Sequence, residues 1–130
     1  MANKDLLIVD DDSLVCESLK EMLHLEGYSV DAVMGGPDAL TKIKNQQYQV
    51  ILSDIQMPGL DGIELFKELK GRAPETTVIF ITGHGHIAGA VEAIKLGAYD
   101  YITKPIDDLR LKLLSVMPWR RKSCKLPTTP

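Results

Sequence analysis

The sequence contains only two cysteines and lacks any hydrophobic run long enough to cross a membrane. Cys16 lies in a predicted helix and Cys124 lies near the end of the chain. No signal-like leader precedes the first apolar run, and a membrane-spanning helix needs roughly 18 to 20 consecutive apolar residues. These absences predict a cytoplasmic protein with two free thiols and no transmembrane segment.

The sequence also lacks an excess of positive charge. Its formal net charge is -3, and four of its cations lie in residues 119–130, where there is no acid, so residues 1–118 carry -7. An acidic domain is a poor match for nucleic acid or for an anionic membrane surface. The sequence also shows no helix-turn-helix, so we expect no direct binding to either partner.

The length allows one domain. A chain of 130 residues can bury a single sizeable core and has no room for a second. We predict a folded domain over residues 1–118, because Pro118 ends the last helical pattern, and a basic linker or disordered tail over residues 119–130.

Apolar runs of strand length alternate with stretches of helical period, the pattern of βαβ units around a parallel sheet. The five predicted strands are residues 6–10, 28–33, 50–54, 78–82 and 99–102. A helix is predicted after each strand, and Ser13 is a plausible N-cap for the first. The residues predicted to face inward from the five helices are Val15, Leu19, Met22 and Leu23; Leu40 and Ile43; Ile63, Phe66 and Leu69; Val91 and Ile94; and Ile106, Leu109, Leu113 and Met117.

Acids stand where two of these strands end. Asp54 closes an apolar run and is followed by a Pro/Gly loop, and Asp10 and Asp11 close the first run. We assign Asp12 to the helix N-terminus, where acids are favourable. In a parallel sheet all carboxyl ends lie on one edge, so the residues predicted to converge are Asp10, Asp11, Asp54, Thr82 and Lys104. Clustered carboxylates require a hard cation, which predicts a Mg²⁺ site, while the lysine and hydroxyl suit phosphate oxygens.

Four motifs carry a resemblance to a known family. They are Leu-Leu-Ile-Val-Asp-Asp-Asp at 6–12, Ser-Asp-Ile-Gln-Met-Pro-Gly-Leu-Asp-Gly at 53–62, Ile-Thr-Gly-His-Gly at 81–85, and Tyr-Ile-Thr-Lys-Pro at 101–105. Over roughly residues 4–117 the chain resembles the receiver domains of bacterial two-component response regulators. Residues 82–85 and 90–101 resemble receivers of nitrogen-regulation-type and nitrogen-fixation-type transcriptional regulators.

The resemblance implies a flavodoxin-like, doubly wound α/β domain with strand order 2-1-3-4-5 and five flanking helices. It also implies that the domain is a phosphorylation-dependent signalling switch and not an enzyme. Its expected direct partner is a histidine kinase or a histidine phosphotransfer protein, and it would control an output domain, most simply a transcriptional one. A homodimer through helix 4, strand 5 and helix 5 is a further implied partner.

The resemblance assigns roles residue by residue. Asp54 would be the phosphoacceptor, and Mg²⁺ would be held by Asp10, Asp11, Asp54 and the backbone carbonyl of Gln56. Lys104 would pair with the phosphoryl group, and the Thr82 hydroxyl would hydrogen-bond one of its oxygens. Thr82 and Tyr101 would form the switch, with Tyr101 moving from an exposed to a buried position. Gln56 and His84 would tune the lifetime of the phosphoryl group.

Three alternatives remain at this stage. A haloacid-dehalogenase-type phosphohydrolase would use Asp10 as nucleophile in the pattern Asp10-x-Asp12, with later motifs taken from Thr82, Lys104, Asp107 and Asp108. This interpretation gives no role to the motif at residues 53–62. A pseudo-receiver would bind partners without phosphorylation. Flavin binding is the weakest alternative, because no Ser/Thr/Gly-rich phosphate loop follows the first strand.

Overall fold

A parallel five-stranded sheet forms the centre of the fold. The computed structural model describes residues 3–55, 62–72, 76–83 and 87–103. The strands are β1 (Asn3–Val9), β2 (Val30–Val33), β3 (Gln47–Asp54), β4 (Thr77–Thr82) and β5 (Asp100–Thr103). The helices within these ranges are α1 (Ser13–Leu25), α2 (Gly36–Asn45), α3 (Gly62–Arg72) and α4 (Ile87–Lys95).

The strand order is β2-β1-β3-β4-β5, and every neighbouring pair is parallel. This order confirms the predicted doubly wound fold. The predicted fifth helix, with its stripe Ile106, Leu109, Leu113 and Met117, lies outside the described residues. The proposed boundary at residue 118 and the tail 119–130 also lie outside them, so both stay predictions.

The core lies on both faces of the sheet, as expected for parallel strands covered by helices. Leu6 and Ile8 of β1 pack with the buried side of α1, whereas Leu7 and Val9 point to the other face and pack with α2, α3 and α4. All four side chains are fully buried. A strand with no solvent-facing side has no polar alternation, which is why its sequence reads as an unbroken apolar run.

The first helix begins one residue earlier than predicted. Asp12 is the N-cap: its backbone is extended, and its carboxylate accepts a hydrogen bond of 3.0 Å from the Leu14 backbone N–H. Ser13 is therefore the first helical residue, and its prediction as N-cap was wrong. Asp and Ser are similarly good caps, so composition did not distinguish them. The assignment of Asp12 to the helix N-terminus is confirmed.

The inward faces of the helices differ from the prediction at α4. Val91 is 41% exposed, so its predicted inward position was wrong, whereas Ala90 and Ala93 are fully buried against the sheet. Ala90 and Ala93 are three residues apart and share one face of the helix, while Val91 lies about 100° around it. Small side chains let α4 approach the sheet closely, which a search for large apolar residues does not detect.

No helix within residues 3–55, 62–72, 76–83 and 87–103 has the length and apolar character of a membrane span.

Candidate functional site

The acids predicted to converge come together at the carboxyl ends of β1 and β3. Val9 is paired with Ser53, so the next residue on each strand, Asp10 and Asp54, follows at the same edge of the sheet. One carboxylate oxygen from each of Asp10, Asp11 and Asp54 lies within 4.8 Å of the other two. We call these three residues the acidic triad.

Asp10 is the buried member of the triad. Its side chain is 0% exposed. Its Oδ1 accepts a hydrogen bond of 2.9 Å from the Asp12 backbone N–H, and its own N–H donates to the Val33 carbonyl at 3.2 Å. The carboxylate is thus fixed by the turn that leads into α1. It cannot rotate freely toward solvent.

The other two acids open the triad to solvent. Asp54 is 9% exposed, and Asp11 is exposed. The triad therefore has a closed side at Asp10 and an open side at Asp11. A small charged ligand can approach from that open side.

The Cys16 thiol contacts the backbone of Asp10 next to the triad, a contact that the sequence analysis did not predict. The thiol is 5% exposed, and its Sγ lies 3.3 Å from the Asp10 carbonyl oxygen and 3.5 Å from the Val33 carbonyl oxygen. Burial raises the pKa of the thiol, and the negative charge of Asp10 raises that pKa further. The signal in the sequence was its position: Cys16, Leu19 and Leu23 follow helical spacing on the buried face of α1.

The backbone around Asp54 is packed tightly against α3. The Ser53 hydroxyl donates to the Asp54 carbonyl at 2.9 Å, and the Gly62 N–H donates to the Ile55 carbonyl at 2.8 Å. A Cβ on Gly62 would lie 2.2 Å from the Asp54 carbonyl oxygen. Only glycine allows this approach, which gives a physical reason for the glycine that ends the motif at residues 53–62.

Thr82 and Tyr101 occupy the neighbouring strands. Asp54 is paired with Ile81, so Thr82 lies one residue further along the same edge, and its buried hydroxyl donates to the Gly83 carbonyl at 3.1 Å. Tyr101 is paired with Phe80 and is half-buried against the core cluster on the α2, α3 and α4 side. The Tyr101 ring is thus neither fully exposed nor fully buried, and its movement on phosphorylation stays a prediction.

Several predicted site residues lie outside the described residues. They are Gln56, His84 and Lys104, together with Asp107 and Asp108 of the alternative reading.

A second polar cluster lies at the amino ends of the strands, away from the triad. The Lys4 ammonium and the Tyr48 hydroxyl donate to the two oxygens of Asp31 at 3.0 and 2.5 Å. Burial raises the pKa of Asp31, but the hydrogen bonds from Tyr48 and Lys4 outweigh it and hold the pKa below its usual value. Burial raises the pKa of Tyr48, and the Asp31 carboxylate raises it further. This cluster was not foreseen either, because its residues come from three separate strands.

The acidic triad fits a small divalent cation. It offers three hard carboxylate oxygens from two adjacent strand ends, one fully buried and one open to solvent. Mg²⁺ prefers oxygen ligands and usually keeps several waters, so a partly open set of carboxylates suits it better than a closed cage would. The oxygen ligands that the triad offers are therefore compatible with the predicted Mg²⁺.

Comparison with known proteins decides the family. A model of the response regulator receiver domain matches residues 6–114 of this chain. The chain belongs to the response regulator receiver family. The receiver domain that we predicted from four motifs is thereby confirmed, and such domains are phosphorylation-dependent signalling switches that use Mg²⁺ at an acidic pocket.

The curated relatives of this receiver domain include transcriptional regulators. It is 40% identical over 109 residues to the transcriptional regulatory protein ZraR of Klebsiella oxytoca. The matched region covers 84% of this chain and 25% of ZraR. It is 38% identical over 106 residues to the transcriptional regulatory protein FixJ of Bradyrhizobium diazoefficiens, covering 82% of this chain and 52% of FixJ. The receiver domain thus spans between a quarter and about half of the length of these relatives.

Solved structures of receiver domains share the fold. The receiver domain of NtrX from Brucella abortus superposes with a TM-score of 0.78 at 37% identity and covers 85% of this chain and 94% of that one. A CheY-like receiver domain from Methanospirillum hungatei gives a TM-score of 0.83 at 32% identity, with coverage of 94% and 99%. These similarities confirm the flavodoxin-like topology of this receiver domain.

Proposed function

We propose that this receiver domain accepts a phosphoryl group on Asp54 from a histidine kinase or a histidine phosphotransfer protein. The observation that carries the proposal is the acidic triad, in which the Asp54 carboxylate lies beside Asp10 and Asp11 at the open edge of the sheet. An Asp54 oxygen would attack the phosphorus while the bond from phosphorus to the donor's imidazole nitrogen breaks. The products would be an aspartyl phosphate and an unphosphorylated donor.

The chain's own residues would position and neutralise charge, which is most of what phosphoryl transfer needs. A bound Mg²⁺ supplies neutralisation of the charge on the phosphoryl oxygens and of the acids around them. Asp10, Asp11 and Asp54 would hold the ion, together with the Gln56 carbonyl. Lys104 would pair with the phosphoryl group, and the Thr82 hydroxyl would bond one of its oxygens once it leaves Gly83.

Asp54 is a better acceptor than Asp10 on grounds of access. Asp10 is fully buried and one of its oxygens accepts the Asp12 N–H, whereas Asp54 is 9% exposed. A donor molecule must bring its phosphorus to about 3 to 3.5 Å from the attacking oxygen. This argues against the phosphohydrolase alternative, in which Asp10 is the nucleophile.

The partners and the signalling output belong to the same proposal. The expected direct partner is a kinase or phosphotransfer protein, and the expected output is a transcriptional domain, because the relatives named above are transcriptional regulatory proteins of greater length. We propose that phosphorylation changes the surface of α4, β5 and the predicted fifth helix, through which a homodimer would form. A cytoplasmic location would follow from such partners.

The test is mass spectrometry of the intact protein and of its peptides after incubation with acetyl phosphate, with Mg²⁺ or with a chelator. We expect one labile phosphoryl group on Asp54 that requires Mg²⁺ and is lost in Asp54→Asn. Asp12→Asn is the matched control, because it neutralises an adjacent acid outside the triad and asparagine caps a helix equally well. It should be phosphorylated like the parent protein.

Other outcomes have defined meanings. An adduct on Asp10 with repeated turnover of the phosphate donor would favour the phosphohydrolase. No adduct from acetyl phosphate or from a phosphorylated histidine phosphotransfer protein would contradict the proposal and favour a pseudo-receiver.

A further inference from the structure

The thiol of Cys16 lies at the junction of β1, β2 and α1. Its Sγ is within hydrogen-bond distance of two backbone oxygens, the Asp10 carbonyl at 3.3 Å and the Val33 carbonyl at 3.5 Å. The Val33 carbonyl also accepts the Asp10 N–H at 3.2 Å. One thiol therefore contacts the backbone at the carboxyl ends of both strands.

The Asp10 carbonyl belongs to the peptide group that joins Asp10 to Asp11. The orientation of this peptide fixes the direction in which the chain leaves β1, and with it the position of the Asp11 carboxylate relative to Asp54. On the other side of the turn, the Asp12 N–H holds Oδ1 of Asp10 at 2.9 Å. The Cys16 backbone N–H donates to the Asp12 carbonyl at 3.1 Å, so side chain and backbone of Cys16 both brace the turn.

Filling space in the core does not account for these contacts. Leu19 and Leu23 occupy the same buried face of α1 and supply apolar volume only. Valine is close to cysteine in size but cannot donate to a carbonyl, so a purely apolar core would accept it at position 16. The two carbonyl contacts are what a thiol adds.

We propose that Cys16 is a positioning residue for the cation site. With its single S–H shared between the carbonyl oxygens at the ends of β1 and β2, the nearer being that of Asp10, its thiol sets the geometry in which Asp10 and Asp11 meet Asp54. This inference rests on the proposed function, since it takes the acidic triad to be a Mg²⁺ site. Metal sites depend on outer contacts of this kind, which orient the ligands and are felt as changes in affinity.

The test compares three replacements of Cys16 by isothermal titration with Mg²⁺ alone. Cys16→Val and Cys16→Ala remove the donor, and we expect each to raise the Mg²⁺ dissociation constant by about three- to tenfold, below the effect of losing a stronger outer-shell bond. Cys16→Ser keeps an O–H donor, so its Mg²⁺ dissociation constant should stay within about twofold of that of the parent. A role of Cys16 in packing alone would not produce this rescue by serine. Leu19→Val is the matched control: it trims the same helix face and should leave the constant unchanged.

A second measurement reads the turn without any metal. In amide NMR spectra of the metal-free protein, Cys16→Val should shift the Asp11 and Asp12 N–H resonances strongly and Cys16→Ser weakly, while Leu19→Val should leave them in place. If Cys16→Val does not fold, Cys16→Ala takes its place in both measurements.

The outcomes separate the two proposals. If the parent protein binds Mg²⁺ and the donor-free variants bind it equally well, the role of Cys16 is wrong and the proposed function stands. If the parent protein does not bind Mg²⁺, the cation site fails, and the role of Cys16 fails with it. Equal weakening by Cys16→Ser and Leu19→Val would assign the effect to packing and overturn the inference.

Discussion

The α-carbon of Gly62 lies directly against the carbonyl oxygen of Asp54. A Cβ at position 62 would approach this oxygen to 2.2 Å and the Ile55 α-carbon to 2.9 Å. Both neighbours are backbone atoms, which cannot rotate away as the end of a side chain could. The amino end of α3 and the end of β3 are therefore held in contact at the residue proposed to carry the phosphoryl group.

Gly62→Ala should disturb both stability and phosphorylation. The added methyl must displace the backbone of Asp54 or of α3, and we expect a loss of about 1–3 kcal/mol in the free energy of unfolding. The rate of phosphorylation by acetyl phosphate should fall as well, because the Asp54 carboxylate moves with its backbone. Urea denaturation and the initial rate of adduct formation measure the two effects.

Gly71→Ala is the matched control for that variant. Gly71 lies on the same helix, and a Cβ there would meet nothing within 4 Å. The replacement should stabilise the protein by about 0.5–1 kcal/mol, as alanine does in an open helix position, and leave phosphorylation unchanged. A Gly62→Ala variant that behaves like Gly71→Ala would contradict the close packing.

Removal of Mg²⁺ should destabilise the protein, because the triad carboxylates repel one another. At a Mg²⁺ concentration about 100 times the dissociation constant, the folded state should gain about 2.7 kcal/mol over the metal-free protein. Asp54→Asn should reduce this gain, and in a chelator it should raise the unfolding temperature above that of the parent. Thermal unfolding with and without Mg²⁺ measures both changes.

Asp12→Asn again provides the comparison. It removes a charge next to the triad but not from it, so its response to Mg²⁺ should equal that of the parent. If Asp54→Asn and the parent gain equally from Mg²⁺, Asp54 is not part of the cation site.

The fold could be read from the sequence to a large extent because a parallel sheet leaves a strong pattern. The apolar run that contains Leu6–Val9 in β1 is buried on both faces, and such runs are hard to mistake for surface strands. The polar residues at the starts of the strands are harder to predict from sequence. Strand β3 begins at Gln47 because its backbone pairs with β1 at Asn3, and this pairing does not depend on an apolar side chain. Val91 was misplaced because two alanines, Ala90 and Ala93, face the sheet in place of a larger apolar side chain.

The site was predictable where it depends on side chains and unpredictable where it depends on backbone. Asp10, Asp11 and Asp54 were found because each is an acid at or just after a strand end. Cys16 was missed, and Gly62 was named only as part of a motif, because their contacts are with backbone atoms, whose positions no residue type reveals. The motif Asp-Gly at 61–62 and the inward position of Cys16 were the available signals.

Tyr48→Phe should change the dependence of stability on pH. The folded protein holds the pKa of Tyr48 above its usual value, so the unfolded chain loses this proton first, and stability falls as the pH rises above about 10. Without the hydroxyl this decline should be smaller. At neutral pH the variant should lose about 1 kcal/mol, because Asp31 loses a hydrogen bond.

The same cluster makes a prediction in acid. The pKa of Asp31 is lowered in the folded protein, so its contribution to stability is present above the pKa of the unfolded chain, about 4, and is lost as the pH falls through the lowered value. The midpoints of urea denaturation, recorded from acid to alkaline pH, measure both the loss of stability in acid and the loss in alkali. Asp31→Asn should remove the contribution of Asp31 to the loss of stability in acid, and it should reduce the loss in alkali. If the loss in alkali is unchanged in Tyr48→Phe, groups other than Tyr48 cause it.

Thr82 and Tyr101 should respond together to phosphorylation. In the structure the Thr82 hydroxyl donates to Gly83, and it must leave this acceptor to reach a phosphoryl oxygen. We expect the Tyr101 ring resonances to shift on phosphorylation in the parent protein and in Thr82→Ser, which keeps the hydroxyl. In Thr82→Val the shift should be lost while Asp54 is still phosphorylated. Unchanged Tyr101 resonances in the phosphorylated parent would rule out its role in the switch.

The pairing of β1 with β3 also decides when the acidic triad exists. Asp10 and Asp54 are distant in sequence and meet only where Val9 and Ser53 have become neighbours in the sheet. In the unfolded chain these carboxylates are far apart and weakly coupled, so their repulsion arises only as the sheet closes. The acidic triad and its electrostatic cost are both created by folding, so a chain whose sheet has not formed has neither the proposed cation site nor the proposed phosphoacceptor.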